Sequence, residues 1–250
     1  MKHSLYIRDV ILNSSPPSDS YLHDLPVVKY LEAAGSLTFR SPVTFFVGEN
    51  GTGKSTLLEA IAVAYGFNAE GGSRNFCFST NATHSALHRH LTLAKGDHPK
   101  DGFFLRAESV YNVATNIDEL DEIEAPIPSI KGGYGGVSLH EQSHGESFLS
   151  IVQNRFFGQG LYLLDEPEAA LSPMRLLSLM MEMKRLVESG SQLIIATHSP
   201  MLISFPNAEV FEFSQNGIET VDYQNTTHFQ LTKRFLHDPE AFWDTFLTEA

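Results

Sequence analysis

The sequence has one cysteine, no long apolar run and a deficit of positive charge. Because Cys77 stands alone, an internal disulfide is excluded, and we expect it to be a small buried hydrophobe. No stretch of the chain is apolar for the eighteen or so residues that a membrane span needs. The apolar N-terminal segment is interrupted by Arg8 and Asp9, so it lacks the core of a signal peptide. These absences favour a cytoplasmic protein.

The charge balance argues against a protein that works mainly by wrapping nucleic acid. The chain has 17 Lys and Arg against 30 Asp and Glu, a formal net charge of −13. Proteins that neutralise DNA phosphates are more often basic, although a local basic patch is compatible with this composition. The 250 residues suit one large domain at 1–250. Within it, residues 68–160 are expected to form an insertion and a helical subregion.

Apolar patterning and turn residues predict a mixed α/β arrangement, with hairpins at a sheet edge and parallel strands in the centre. Strands are expected at 5–13, 27–31, 36–40, 43–47, 102–106, 161–164, 192–196, 210–213 and 218–223, and helices at 57–64, 109–120, 173–188, 226–236 and 239–247. We expect Trp243 and its phenylalanine neighbours to anchor the last helix.

A polar stretch at 68–100 carries four histidines, His84, His88, His90 and His98, among scattered basic residues. The histidines lack cysteine partners and a recognised ligand spacing, so they do not indicate a metal site. The stretch is interpreted as a solvated insertion. The alternative is a contact surface for nucleic acid or a partner protein.

A strand, a glycine-rich turn and a helix follow one another around residues 45–64. The pattern G-x-x-x-x-G-K-[ST] is matched by Gly48, Gly53, Lys54 and Ser55. Such a loop binds phosphates through its backbone N–H groups and the helix N-terminus. Lys54 is expected to reach the β- and γ-phosphates, and the Ser55 hydroxyl to hold Mg²⁺. The expected nucleotide-binding residues are Glu49, Asn50, Gly51, Thr52, Gly53, Lys54, Ser55 and Thr56.

Two further strand ends carry groups suited to phosphate chemistry. The apolar run 161–164 leads into Asp165 and Glu166, at the edge of a parallel sheet where ligands bind in open α/β folds. Asp165 is expected to reach Mg²⁺, and Glu166 to take a proton from an attacking water. A later strand ends before His198, which could donate a hydrogen bond to a γ-phosphate.

Together, residues 48–56, 161–166 and 197–200 resemble the nucleotide-binding domain of ABC-type ATPases. They resemble most closely the RecF/SMC-like soluble branch, often described as predicted AAA-family ATPases. The resemblance covers nearly the whole chain. It implies a P-loop NTPase fold: a mixed sheet flanked by helices, with an antiparallel β edge and a helical signature subregion. It also implies Mg²⁺-dependent ATP hydrolysis, with Glu166, His198 and Lys54 as catalytic residues.

The resemblance implies a serine-glycine signature about twenty residues before the Asp-Glu pair. Residues 143–147 stand there and are called the signature segment; His144 occupies a position where glycine is usual. In the family, the signature of one subunit completes the ATP site of another. Ser143, Gly145 and Glu146 are therefore expected to bind nucleotide across an ATP-dependent homodimer. Residues 168–172 resemble the D-loop that lies along that interface.

The remaining family positions match less closely. No glutamine stands at 106–109, where the family places its Q-loop, and Glu108 is the substitute proposed for sensing metal or water. Arg8, at the end of the first strand, resembles an arginine that approaches phosphates in the SMC-like branch.

These features lead to a hypothesis of an ATP-driven motor or switch head, without a coiled-coil arm, that serves an effector protein or nucleic acid in DNA repair or phage defence. The alternative is the ATP-binding subunit of a membrane transporter. Tyr30 could be the aromatic residue of that class, but residues 106–109 and His144 argue against it. A third possibility is a nucleotide-dependent switch that hydrolyses ATP too slowly to be a motor.

Overall fold

Two β-sheets organise the chain, and helices cover the larger one. The computed structural model describes residues 5–73, 85–121 and 139–249; Cys77 and His84 lie outside the described residues. The strands are β1 (Ile7–Leu12), β2 (Ser36–Thr38), β3 (Val43–Gly48), β4 (Leu91–Lys95), β5 (Asp101–Arg106), β6 (Gly160–Asp165), β7 (Gln192–Ala196), β8 (Glu209–Ser214) and β9 (Gly217–Val221). The helices are α1 (Pro26–Ala34), α2 (Lys54–Tyr65), α3 (Val110–Asp121), α4 (His144–Arg155), α5 (Pro173–Glu188), α6 (Pro200–Ile203), α7 (Thr227–His237) and α8 (Pro239–Glu249).

The larger sheet has six strands in the order β5-β6-β7-β3-β8-β9, all parallel except β9 at the edge. Every residue of β3, β6 and β7 is buried, as expected for apolar strands covered on both faces. The register aligns Phe46 with Ala196, Ala196 with Asp165, and Asp165 with Arg106. The carboxyl ends of four strands therefore meet at one edge. This arrangement confirms the predicted fold class.

Apolar side chains form a separate layer on each face of the large sheet. Successive residues of a strand point to opposite faces, so Phe46 packs with α1 and α2 while Phe45 packs with α4 and α5. The same alternation separates Leu163 from Leu164 in β6. None of the helices in the described ranges is long and apolar enough to cross a bilayer.

The smaller sheet is antiparallel, in the order β2-β1-β4, and a buried glutamine joins it to the large sheet. Gln192, at the start of β7, accepts the N–H groups of Tyr6 and Ile7 through Oε1 at 2.8 and 2.9 Å. Its Nε2 donates to the Ile7 carbonyl at 2.9 Å. One side chain therefore fixes the start of β1 against the amino end of β7.

Two expectations about secondary structure were wrong, and one about packing was right only in part. Residues 27–31 belong to α1 and not to a strand: Pro26 occupies the first turn, and Gly35, with φ of 76°, ends the helix. Residues 91–95, expected within a solvated insertion, form β4 and pair with β1. The expectation for α8 holds in part: Trp243 is 51% exposed, whereas its neighbour Phe242 packs edge-on against Phe235 of α7 with ring centroids 5.5 Å apart.

Candidate nucleotide-binding site

The phosphate loop, residues 48–55, lies between β8 and α1 so tightly that two of its positions require glycine. Gly48 has φ of 134°, and a Cβ there would lie 2.1 Å from the Phe213 carbonyl oxygen. Gly53 has φ of 96°, and a Cβ there would lie 2.4 Å from Val27 Cγ1. These contacts, together with backbone angles that favour glycine, hold the turn between β3 and α2 in place.

Lys54 is folded into the phosphate loop and is only 4% exposed. Its Nζ donates to the carbonyl oxygens of Gly48 and Glu49 at 2.6 and 2.9 Å. Burial lowers the pKa of Lys54, and the nearby carboxylates, Glu166 and Asp165 foremost, oppose this effect. Thr52 also closes the loop, since its hydroxyl donates to the Glu49 carbonyl at 2.8 Å. The Lys54 ammonium is therefore held inside the phosphate loop, with the carboxylates of Asp165 and Glu166 nearby.

The outer part of the loop is open to solvent. Glu49, Asn50 and Gly51 are exposed, and Ser55 and Thr56 at the start of α2 are half-buried. The first turn of α2 thus presents its N–H end at the sheet edge reached by Asp165. This is the arrangement that favours binding of an anion at a helix N-terminus.

Asp165 ends β6 and is 5% exposed. Burial raises its pKa to about 6, while Arg106 and a hydrogen bond from the Ser55 hydroxyl lower it. Asp165 Oδ1 is buried without a hydrogen-bond partner in the described part of the chain. A buried, unsatisfied carboxylate oxygen beside a serine hydroxyl fits the oxygen ligands that Mg²⁺ prefers, so Ser55 and Asp165 could hold this ion.

Arg106 stands beside Asp165 at the end of β5 and links three carboxylates. Its Nε lies 3.4 Å from Asp165 Oδ2, its Nη1 2.9 Å from Glu59 Oε2, and its Nη2 2.7 Å from Glu108 Oε1. The arginine therefore lies between Asp165 and Glu108, the residue expected to sense metal or water. The sequence pattern singled out Glu108 in this segment and missed the arginine.

Glu166 follows Asp165 with a strained backbone. Its φ of 48° and ψ of 51° are left-handed, although it is not glycine, and its N–H donates to the Ala196 carbonyl at 2.9 Å. The carboxylate is 44% exposed, and its Oε1 lies 3.6 Å from His198 Nε2. It is thus within reach of solvent water and of the histidine.

His198 follows β7 and contacts two further residues. Its main-chain N–H donates to Glu168 Oε1, and its Nδ1 lies 3.3 Å from His228 Nε2. Burial lowers the pKa of His198, with Lys54 and His228 acting in the same direction and Glu166 opposing them. Glu168 was expected only as part of the D-loop-like segment. His228, some thirty positions along the chain, gave no signal in its local sequence.

The signature segment caps α4. Ser143 N and Oγ both donate to Glu146 Oε2, at 2.9 and 2.6 Å, and Arg175 donates to Ser143 Oγ at 3.1 Å. A Cβ on Gly145 would lie 2.6 Å from Arg175 Nη1 and 2.7 Å from the Ala170 carbonyl oxygen. The segment therefore packs against residues 168–172, and these contacts join it to α5 and that loop rather than to the phosphate loop of the same chain.

The structure does not bring Arg8 to the phosphate loop. Arg8 is the second residue of β1, not its last, and its main-chain carbonyl accepts the Phe39 N–H at 2.8 Å. Its neighbour Ile7 is bonded to Gln192 at the amino end of β7, whereas the phosphate loop follows the carboxyl end of β3. Tyr30 is half-buried and packs against Gly217.

Two family models match parts of the chain. Residues 28–110 match a family described as "AAA domain". Residues 131–204 match one described as "AAA domain, putative AbiEii toxin, Type IV TA system". The first match includes the phosphate loop, and the second includes the signature segment, Asp165, Glu166 and His198.

Curated proteins similar to this chain are named as import ATP-binding proteins. The galactose/methyl galactoside import ATP-binding protein MglA 2 of Photobacterium profundum is 25% identical over 70% of this chain and 37% of that protein. The nucleoside import ATP-binding protein NupA of Lactococcus lactis subsp. cremoris is 25% identical over 61% of this chain and 32% of that protein. The chain thus spans about a third of the length of these curated relatives.

A solved structure shows the same fold. CbiO1 of Clostridium perfringens, part of the ABC transporter complex cbiONQ, is similar with a TM-score of 0.51 and 16% identity, over 98% of this chain and 100% of that one. Its likeness concerns the fold alone. Together with the sequence matches and with the phosphate loop, the Asp165-Glu166 pair and His198 gathered at one sheet edge, it identifies the chain as an ABC-type ATPase nucleotide-binding domain.

Proposed function

We propose that this chain hydrolyses ATP with Mg²⁺ and that ATP joins two copies of it into a dimer. The observation that carries the hydrolytic part is the common register of Phe46, Asp165 and Ala196. Because these strands end together, the phosphate loop, both carboxylates and His198 meet at one edge. A phosphate loop without the carboxylates would bind phosphate but would have no group to activate water.

The residues divide the chemistry among them. Lys54, the loop amides and the N-terminus of α2 hold the phosphates, and His198 donates a hydrogen bond to the γ-phosphate. Glu166, whose carboxylate is solvent-accessible and next to His198, orients the attacking water and accepts its proton. Mg²⁺ held by Ser55 and Asp165 would neutralise charge on the phosphate oxygens. Catalysis by this set consists mainly of positioning and charge stabilisation.

The proposed dimer rests on the signature segment. Ser143 and Glu146 are exposed at the N-terminus of α4, and the segment packs on residues 168–172. A helix N-terminus with an exposed serine is suited to a phosphate supplied by another molecule. Ser143, Gly145 and Glu146 would then complete the ATP site of a partner copy, and residues 168–172 would lie at the same interface.

The experiment compares Glu166→Gln with the wild type and with Glu188→Gln, a control change at an exposed carboxylate on α5. Because Glu166 acts as the base, Glu166→Gln should lose roughly 10²–10⁴-fold in phosphate release. The variant should also accumulate as a dimer with Mg²⁺ and ATP, measured by light scattering after size exclusion. Near-normal turnover would remove Glu166 from this role, and a monomer at saturating ATP would refute ATP-driven association.

For the biological process, we propose an effector-linked switch head in DNA repair or phage defence, acting in the cytoplasm. The family description of the match at 131–204, which names a toxin of a toxin-antitoxin system, supports the defence part of this choice. The second candidate, an ATP-binding subunit of a membrane transporter, is favoured by relatives named as import ATP-binding proteins. Purification of the Glu166→Gln dimer from its own cells, followed by mass spectrometry, separates the two. A nuclease or nucleic acid supports the first, and a permease supports the second.

A further inference from the structure

A second histidine lies against His198 on the side away from Glu166. His228 Nε2 is 3.3 Å from His198 Nδ1, and the two rings are tilted by 64° with centroids 5.2 Å apart. His198 Nε2 faces the other way, 3.6 Å from Glu166 Oε1. The histidine proposed to contact the γ-phosphate is therefore held between a carboxylate and a second imidazole.

The first turn of α7 holds His228 in this position. Thr226, fully buried, caps the helix and accepts the Phe229 N–H at 3.4 Å. Glu212 on β8 accepts the Thr227 N–H at 2.8 Å, and the Tyr223 ring packs edge-on against Phe229 with centroids 5.3 Å apart. These contacts surround His228, so its approach to His198 follows from how α7 docks on the large sheet.

The contact between the two rings has room for one proton, and the surroundings decide which ring supplies it. In the described part of the chain, His228 Nδ1 and His198 Nε2 are buried without a hydrogen-bond partner. If His198 donated from Nδ1, His228 would have to carry its own proton on Nδ1, a buried N–H without an acceptor, which is costly. The lone pair on His198 Nε2 would then also face the Glu166 carboxylate.

The opposite arrangement removes both problems. When His228 donates from Nε2, His198 Nδ1 accepts, and His228 Nδ1 is an acceptor. A buried acceptor without a partner costs less than the buried N–H of the first arrangement. The proton of His198 then sits on Nε2, where it faces the Glu166 carboxylate and the phosphate edge of the sheet. A neighbour that bonds one ring nitrogen commonly sets which tautomer the other nitrogen presents.

We propose that His228 is a positioning residue for ATP hydrolysis: it donates to His198 Nδ1 and thereby keeps the phosphate-facing proton on His198 Nε2. The assignment of a γ-phosphate to His198 rests on the function proposed above. The tautomer assignment does not, because it follows from the contacts of the two rings. One consequence is that hydrolysis requires α7 to be docked, since α7 carries the donor.

The test uses three variants of the full chain. His228→Phe keeps the ring and removes the donor, and His228→Gln supplies an amide N–H that can donate to His198 Nδ1. His237→Ala, an exposed histidine at the end of the same helix, is the matched control. The measurements are kcat and KM for ATP, and the imidazole ¹⁵N shifts of His198 in the free protein.

Because an orienting partner of a functional histidine is typically worth 10–100-fold, His228→Phe should lower kcat by roughly that factor with little change in KM. His228→Gln should restore most of kcat, and His237→Ala should match the wild type. In the ¹⁵N spectrum, wild-type His198 should be protonated at Nε2, and His228→Phe should show the Nδ1 form as well.

An Nδ1-protonated His198 in the wild type would overturn the proposal, as would wild-type kcat in His228→Phe. A His228→Gln variant as slow as His228→Phe would do the same, because the donor would then not matter. If the wild-type chain proves unable to hydrolyse ATP, the proposed function fails, and the ¹⁵N spectra still decide the tautomer.

Discussion

The burial of Asp165 leads to a prediction about the nucleotide-free protein: Asp165→Asn should stabilise it at neutral pH. The folded-state pKa of Asp165 is raised, chiefly by burial, from 3.8 to about 6. A carboxyl with a raised folded pKa contributes stability below its unfolded pKa, and this contribution is lost as pH rises through the folded pKa. A pKa difference of about 2.2, at about 1.36 kcal/mol for each pKa unit, corresponds to about 3 kcal/mol at pH 7.5.

An amide at this position cannot ionise, so it escapes the cost. At pH 4.5 the unfolded chain already favours ionisation by about 1 kcal/mol, which leaves about 2 kcal/mol to develop between pH 4.5 and 7.5. The stability of Asp165→Asn relative to wild type should therefore increase by about 2 kcal/mol over this interval. That is measurable against the total of about 5–15 kcal/mol that is typical of folded domains.

The assay is urea unfolding followed by circular dichroism at both pH values, with chelator present and nucleotide absent. Asp101→Asn serves as a control of opposite sign. Burial alone would raise the pKa of Asp101, but Arg155 at 2.8 Å and the Tyr162 hydroxyl at 2.8 Å lower it. Its carboxylate stabilises the fold above the unfolded pKa, and this is lost as pH falls through the folded pKa, so Asp101→Asn should destabilise at pH 7.5.

The reasoning would be refuted if the difference between Asp165→Asn and wild type did not change with pH, or if it fell as pH rose. Either result would mean that the protein already compensates the Asp165 charge, through Arg106 or by admitting water. Hydrolysis by Asp165→Asn should be lost in every case, since the amide is a poor ligand for Mg²⁺.

Two further predictions concern other parts of the structure. Gln192→Leu leaves two N–H groups and the Ile7 carbonyl without the partner that the glutamine supplies, at a cost of about 1–3 kcal/mol each. The urea midpoint of unfolding should therefore fall sharply, and an unchanged midpoint would show that water replaces the glutamine. Gly145→Ala places a methyl group 2.6 Å from Arg175 Nη1 and 2.7 Å from the Ala170 carbonyl oxygen, which displaces the signature segment. ATP-dependent dimerisation should then be lost while ATP still binds the monomer. Dimers of wild-type affinity would exclude the signature segment from the interface.

The local sequence was sufficient for the large sheet and its phosphate edge. Each core strand is a short apolar run followed by a distinctive group, and both parts can be read without knowing the partners of the strand. Pro26 and Gly35 also mark the two ends of α1, yet the valines between them favoured a strand. Here position in the fold overrode β-propensity, since Val27 and Val28 bury one side of a helix against the core.

Contacts between segments that are distant in the sequence could not be predicted from it. β4 forms because β1 offers it an edge, and Gln192 binds Ile7 across 185 positions of the chain. Arg106 and His228 enter the site in the same way. Arg106 lies in the segment expected to be the Q-loop, but its own side chain was not singled out, and His228 belongs to no motif; β5 brings the first to Asp165, and α7 brings the second to His198. Arg8 was assigned to the site from its place in the first strand alone. That strand, β1, starts at the amino end of β7, whereas the phosphate loop follows the carboxyl end of β3.

The left-handed backbone at Glu166 has a consequence for which substitutions are favoured once ATP hydrolysis is no longer under selection. An L-residue with a Cβ costs about 1–2 kcal/mol in this conformation, which glycine adopts freely. A lineage released from selection for turnover would therefore gain folding stability by replacing this glutamate with glycine. Glycine at 166 would thus mark a chain that is still selected to fold but no longer to hydrolyse ATP.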